Sequence, residues 1–115
     1  MAATEHKSLY YDTHAHFEGS ALETAAVMER ALAAGVTRVV AVGGSAALNA
    51  GALAVAAAYP DCVRLAIGFD RDQAADAPPE IHVGTLRQIA EAYPPAAVGE
   101  IGLDFHYHPA TAEAQ

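Results

Sequence analysis

The chain has 115 residues, 53% hydrophobic and 17% charged, which gives room for one domain with one modest core. A formal net charge of −8 argues against a sequence-independent grip on duplex DNA through a basic surface, because that grip needs clustered Lys and Arg. One cysteine, Cys62, excludes an internal disulfide, and its apolar neighbours predict a plain buried thiol.

The opening segment MAATEHKS carries no apolar signal-peptide core, so no leader is expected. Residues 8–13 then predict a short strand. Ser20-Ala-Leu-Glu23 reads as a capping box that opens a helix carrying Leu22, Ala25, Ala26, Met28, Glu29 and Leu32. Gly35 ends it. Residues 36–44, VTRVVAVGG, form a β-branched strand that runs into glycines. Ser45 caps a second helix that closes at Tyr59-Pro60. The Ala-rich run over residues 46–59 is too short to span a membrane and is expected to pack closely through small side chains.

Residues 62–68 predict a third strand, followed by the polar, Pro-containing loop FDRDQAADAPPE. A third helix is expected over about residues 80–93 and a fourth strand over residues 96–101. The final HPATAEAQ reads as the first turn of another helix. This β-α-β-α-β-α-β order, with strands apolar on both faces, predicts a parallel α/β sheet. An open doubly wound sheet and part of a (β/α)8 barrel compete. No G-x-G-x-x-G follows the first strand, which argues against a dinucleotide fold.

Side chains alternate along a strand, so Asp12, His14 and His16 share one face. His14 and His16 project from the C-terminal end of the first strand, where parallel α/β folds build their sites, and two neutral imidazoles there can ligate one divalent ion. The alternative is a pair of solvated loop histidines. GEIGLD, residues 99–104, adds Glu100 at the end of the fourth strand. A carboxylate interrupting an apolar strand either has a cation beside it or points outward. Gly99 and Gly102 are expected to clear space for a crowded site.

DTHAHFEG, GVTRVVAVGGS and AVGEIGLDFHYH, together with Gln115, resemble the N-terminal part of the TatD family of metal-dependent deoxyribonuclease-like hydrolases. That family belongs to the amidohydrolase-like TIM barrels, and the resemblance runs from about Tyr10 to Gln115. It implies that residues 1–115 are the first four βα units of one (β/α)8 barrel domain, truncated after the fourth strand. It also implies phosphodiester hydrolysis by a water activated by two divalent ions, Zn, Mn or Mg. His14 and His16 match metal ligands and Glu100 matches the bridging, catalytic glutamate. Asp104, like Asp12, is placed behind the ligands. Asp70 stands where the family's G-x-H-P-H has a histidine near the phosphate, since this chain reads Gly68-Phe69-Asp70-Arg71-Asp72. His106 and His108 are expected over the site as substrate-binding residues, and His82 on an outer helix as a solvated one.

DNA is the substrate the resemblance implies. Asp70 keeps open an amide or ester hydrolase of the same fold, such as an aminoacyl-tRNA deacylase. The family's later histidine and aspartate ligands have no counterpart here, so a non-catalytic fragment is the third reading. Two open sheet edges predict instability or self-association. No membrane partner is expected, and the setting is expected to be cytoplasmic.

Overall fold

The computed structural model describes residues 9–115. The element order is β1 (Tyr10–Ala15), α1 (Ala21–Ala33), β2 (Val36–Gly44), α2 (Ala46–Ala58), β3 (Val63–Phe69), α3 (Pro79–Ala92) and β4 (Ala97–Val98). Single 3-10 turns lie at Arg71–Gln73 and Pro109–Thr111. Ser8 of the expected first strand, like the segment MAATEHKS, falls outside the described residues. The last segment forms a 3-10 turn and not the first turn of an α-helix.

The helix boundaries follow from their caps. The Ser20 hydroxyl accepts from the Glu23 N–H at 3.3 Å, and the Glu23 carboxylate accepts from the Ser20 N–H at 2.7 Å. This closes the capping box reciprocally. Gly35, with φ of 96°, follows α1 in the left-handed region that favours glycine. The Ser45 hydroxyl accepts from the Leu48 N–H at the start of α2. Pro79 starts α3, where its missing N–H has no helical partner to lose.

All four strands are parallel and stand in the order β1-β2-β3-β4. That order decides between the two expected architectures. Right-handed crossovers stepping always in one direction place every helix on one face, whereas a doubly wound sheet needs a reversal of strand order. The core confirms the single face. Met28 of α1 and Ala52, Val55 and Ala56 of α2 pack with Val39, Ala41, Val63, Leu65 and Ile67 of the sheet, and Leu86 and Ile89 of α3, with Tyr93 just after it, join them. This is the arrangement of the first βα units of a (β/α)8 barrel. Each large aliphatic side chain buried here contributes roughly 1.5–3 kcal/mol.

The sheet is not apolar-buried throughout. Only β2 and β3, each with a neighbour on both sides, are buried along most of their length. The outer strands are exposed, with Tyr11 of β1 at 72% and Val98 of β4 at 65%. Leu22 of α1 is exposed as well, and Met28 alone is buried in that helix. Cys62 is half-buried, with Sγ 3.8 Å from the Tyr59 carbonyl oxygen. No helix among the described residues is long and apolar enough to cross a membrane.

Candidate metal centre

β1 extends through His14 and ends at Ala15, so His14 leaves the strand and His16 the residue just after it. The Asp12 carboxylate accepts from the His14 backbone N–H at 3.0 Å and braces that segment. The His16 ring reaches β2, where Nδ1 lies 2.9 Å from the Val42 carbonyl oxygen. A carbonyl only accepts, so Nδ1 carries the proton and Nε2 of the neutral ring is left with a free lone pair. That lone pair faces His14 Nε2 at 3.2 Å, with the two rings edge to face.

Glu100 arrives by a route that the apolar pattern does not show. β4 comprises Ala97 and Val98 alone, and Glu100 lies beyond it rather than within a strand over residues 96–101. As the edge strand, β4 has only β3 to hold it in register. The chain then crosses the end of β3: the Gly99 N–H donates to Ile67, and the Glu100 N–H donates to the Gly43 carbonyl of β2 at 3.2 Å. The glycine that permits this crossing is Gly68, because a Cβ there would stand 2.6 Å from the Glu100 carbonyl oxygen and 2.8 Å from the Gly99 carbonyl carbon. The expectation that Gly99 and Gly102 make the space is corrected. A Cβ at Gly99 would meet only ordinary contact with Val42, and one at Gly102 nothing within 4 Å. Gly68 is itself pinned by the buried Asn49 of α2, whose Nδ2 donates to the Gly68 carbonyl at 2.9 Å and whose Oδ1 accepts its N–H at 3.1 Å.

The result is a triangle of donor atoms at the carboxyl ends of β1, β2 and β4. Glu100 Oε2 is 3.4 Å from His14 Nε2 and 3.3 Å from His16 Nε2. A tetrahedral ion with ligands at about 2.0–2.1 Å has ligand-to-ligand edges of about 3.3–3.4 Å. The three side chains therefore fit one divalent cation, and imidazole with carboxylate suits zinc or manganese. The other Glu100 oxygen, Oε1, accepts from Arg71 Nη1 at 2.7 Å. Burial raises the Glu100 carboxyl pKa, but the hydrogen bond and charge of Arg71, with His14, outweigh it and hold it below its ordinary value of 4.5. Beside the triangle, an open groove over the sheet is lined by His14, Val40, Val42, Ala66, Val98 and Glu100.

The remaining residues singled out from the sequence do not join this triangle. Asp70 is buried, and its carboxylate caps the 3-10 turn by accepting from the Asp72 N–H at 2.9 Å. The Asp104 carboxylate accepts from the N–H groups of His106 and Tyr107 and shapes the loop after β4. His108 Nε2 lies 2.7 Å from Asp72, which ties that loop to the one after β3. His106 is exposed and stacks edge-on against Tyr107. His82 is not solvated: it is half-buried against Phe69, with Nε2 3.0 Å from the Gln73 carbonyl oxygen.

Four residues in this region have contacts that no sequence pattern marks. Arg71 lay inside a loop that read only as polar. Asn49 lay in a run of small residues, although a lone amide on an apolar helix face is a signal in itself. Gly68 closes an apolar strand run with no other signal. Gln115 spans the last loop, accepting from the Asp104 N–H through Oε1 while its Nε2 approaches the Asp104 and His108 carbonyl oxygens.

Parallel βα units carrying a His-His-Glu donor set at the carboxyl ends of their strands define the class of barrel-type metal-dependent hydrolases. The family model described as TatD related DNase matches residues 11–115, and the chain belongs to that family of metal-dependent hydrolases. A comparison with the curated proteins finds no match.

Proposed function

We propose that this protein hydrolyses phosphodiester bonds in DNA, with His14, His16 and Glu100 holding a divalent cation. The observation that carries the reading is the donor triangle, whose edges of 3.2–3.4 Å suit one ion and whose His16 tautomer is set by the Val42 carbonyl. When bound, such an ion supplies Lewis-acid polarisation and eases ionisation of a water near neutral pH. The chain's own residues do the rest. His16 presents an unprotonated Nε2, Asp12 braces the backbone of His14, and Glu100 contributes a full negative charge. The groove beside the triangle would admit substrate, and His106 and His108 on the loop after β4 would help to bind it.

Residues 1–115 form the N-terminal part of a single barrel domain in this proposal, and the family likeness by itself would imply a second ion bridged by Glu100. Asp104 would act through the loop that follows Glu100. A cytoplasmic setting accords with the lone thiol of Cys62. The open edges at β1 and β4 favour association of this chain with another surface.

Hydrolysis of an amide or ester bond is the second reading. It is favoured by Asp70 and Asp72, which surround Arg71 with carboxylates and leave little positive surface for a polyanion. A substrate panel of single-stranded DNA beside acyl esters, run with Mn²⁺ or Zn²⁺, separates the two. DNA cleavage that disappears in Glu100→Ala, with an unchanged circular dichroism spectrum, supports the first reading. Ester cleavage alone moves the assignment to the second. Activity persisting in Glu100→Ala removes both.

A further inference from the structure

The two oxygens of Glu100 face different cations. Oε2 closes the triangle with the imidazole nitrogens, whereas Oε1 accepts from Arg71 Nη1 at 2.7 Å. A carboxylate that bridges two metal ions gives one oxygen to each, and here a guanidinium already holds the second oxygen. We infer that Arg71 stands in the position of a second metal ion, so that this centre binds one divalent cation and uses the guanidinium as its other fixed positive group. The inference rests on the metal-centre reading of His14, His16 and Glu100.

The surroundings of Arg71 are those of a cation site. Asp70, Asp72 and Glu100 converge on it from the loops after β3 and β4, with Asp72 Oδ1 at 3.8 Å from Nε. That same Asp72 oxygen lies 2.7 Å from His108 Nε2. Carboxylates thus face the guanidinium from both loops, and the His108 imidazole holds Asp72. Arg71 Nε is buried with no hydrogen-bond partner. The group is therefore held by the charges around it and not by a completed set of hydrogen bonds. An arginine keeps its charge at every working pH and needs no loading from solution.

The experiment counts metal. The full chain and its Arg71→Gln, Arg71→Lys and His14→Ala/His16→Ala variants are dialysed against Mn²⁺, analysed for bound metal and examined by electron paramagnetic resonance. The wild type and Arg71→Lys should hold one ion per chain, and the double histidine variant should lose it. Arg71→Gln should hold two ions with a spin-coupled spectrum, because they would share Glu100. Two ions in the wild type overturn the inference and leave the metal-centre reading standing. No ion in the wild type overturns both. One ion in a natively folded Arg71→Gln also overturns the inference. Should that variant fail to fold, Arg71→Met is counted in its place: two ions uphold the assignment of Arg71, and one refutes it.

Discussion

His16 donates from Nδ1 to the Val42 carbonyl at 2.9 Å, and this one bond turns a loop histidine into an oriented ligand. Fixing the proton on Nδ1 fixes the lone pair on Nε2, the atom that faces His14 and Glu100. Nitrogen chemical shifts should therefore report the Nδ1-protonated tautomer for neutral His16, and Zn²⁺ should perturb its Nε2. His16→Ala should weaken Zn²⁺ binding by more than about tenfold. A mixed tautomer population, or unchanged affinity, would contradict the geometry.

Gly68→Ala should damage the centre from a distance. The added methyl meets backbone, not a flexible side chain, so the Gly99-Glu100 segment must move. The expected cost is roughly 1–3 kcal/mol in urea unfolding. Metal affinity should fall further than stability alone explains, because Glu100 is carried away from the histidines. Gly84→Ala provides the contrast: a Cβ there meets nothing within 4 Å, and the residue lies within α3 in a helical backbone that suits alanine. It should therefore leave metal binding intact.

Asn49→Ala should be among the most destabilising single changes in α2. It leaves both the N–H and the carbonyl of Gly68 without their buried partner. Two unpaired backbone groups predict a loss of roughly 2–4 kcal/mol. Chemical denaturation checks this, and a loss below about 0.5 kcal/mol would show that water replaces the amide readily.

The loop after β4 should open in acid. The Asp104 carboxyl is held below its ordinary value of 3.8, chiefly because the Tyr107 N–H donates to it. Burial acts the other way, while the His106 N–H and the charges of His108 and Arg71 add to the lowering. A depressed folded-state pKa contributes stability above 3.8 that is lost as pH falls through the lower folded value. Protection factors of the His106 and Tyr107 amides against hydrogen exchange should stay high at about pH 5 and fall below the unfolded value. Asp104→Asn should remove that acid step, and a step that survived the substitution would have another origin.

What the sequence determined by itself is what local chemistry encodes. The capping box of Ser20 and Glu23, the glycine stop at Gly35 and the β-branched run over residues 36–44 locate their elements because each depends on neighbours within a few residues. The H-x-H pair and GEIGLD marked the residues that meet, because strand ends in a parallel sheet share one side. Tertiary structure alone decided how they meet. The His16 bond to Val42 spans 26 residues, the Asn49 clamp on Gly68 spans 19 and the Arg71 pair with Glu100 spans 29. No periodicity or cap encodes contacts of that range; they exist because sheet order and the missing Cβ of Gly68 let three strand ends converge. The charge on Glu100 could be read from one residue, but which cation faces each of its oxygens required the fold.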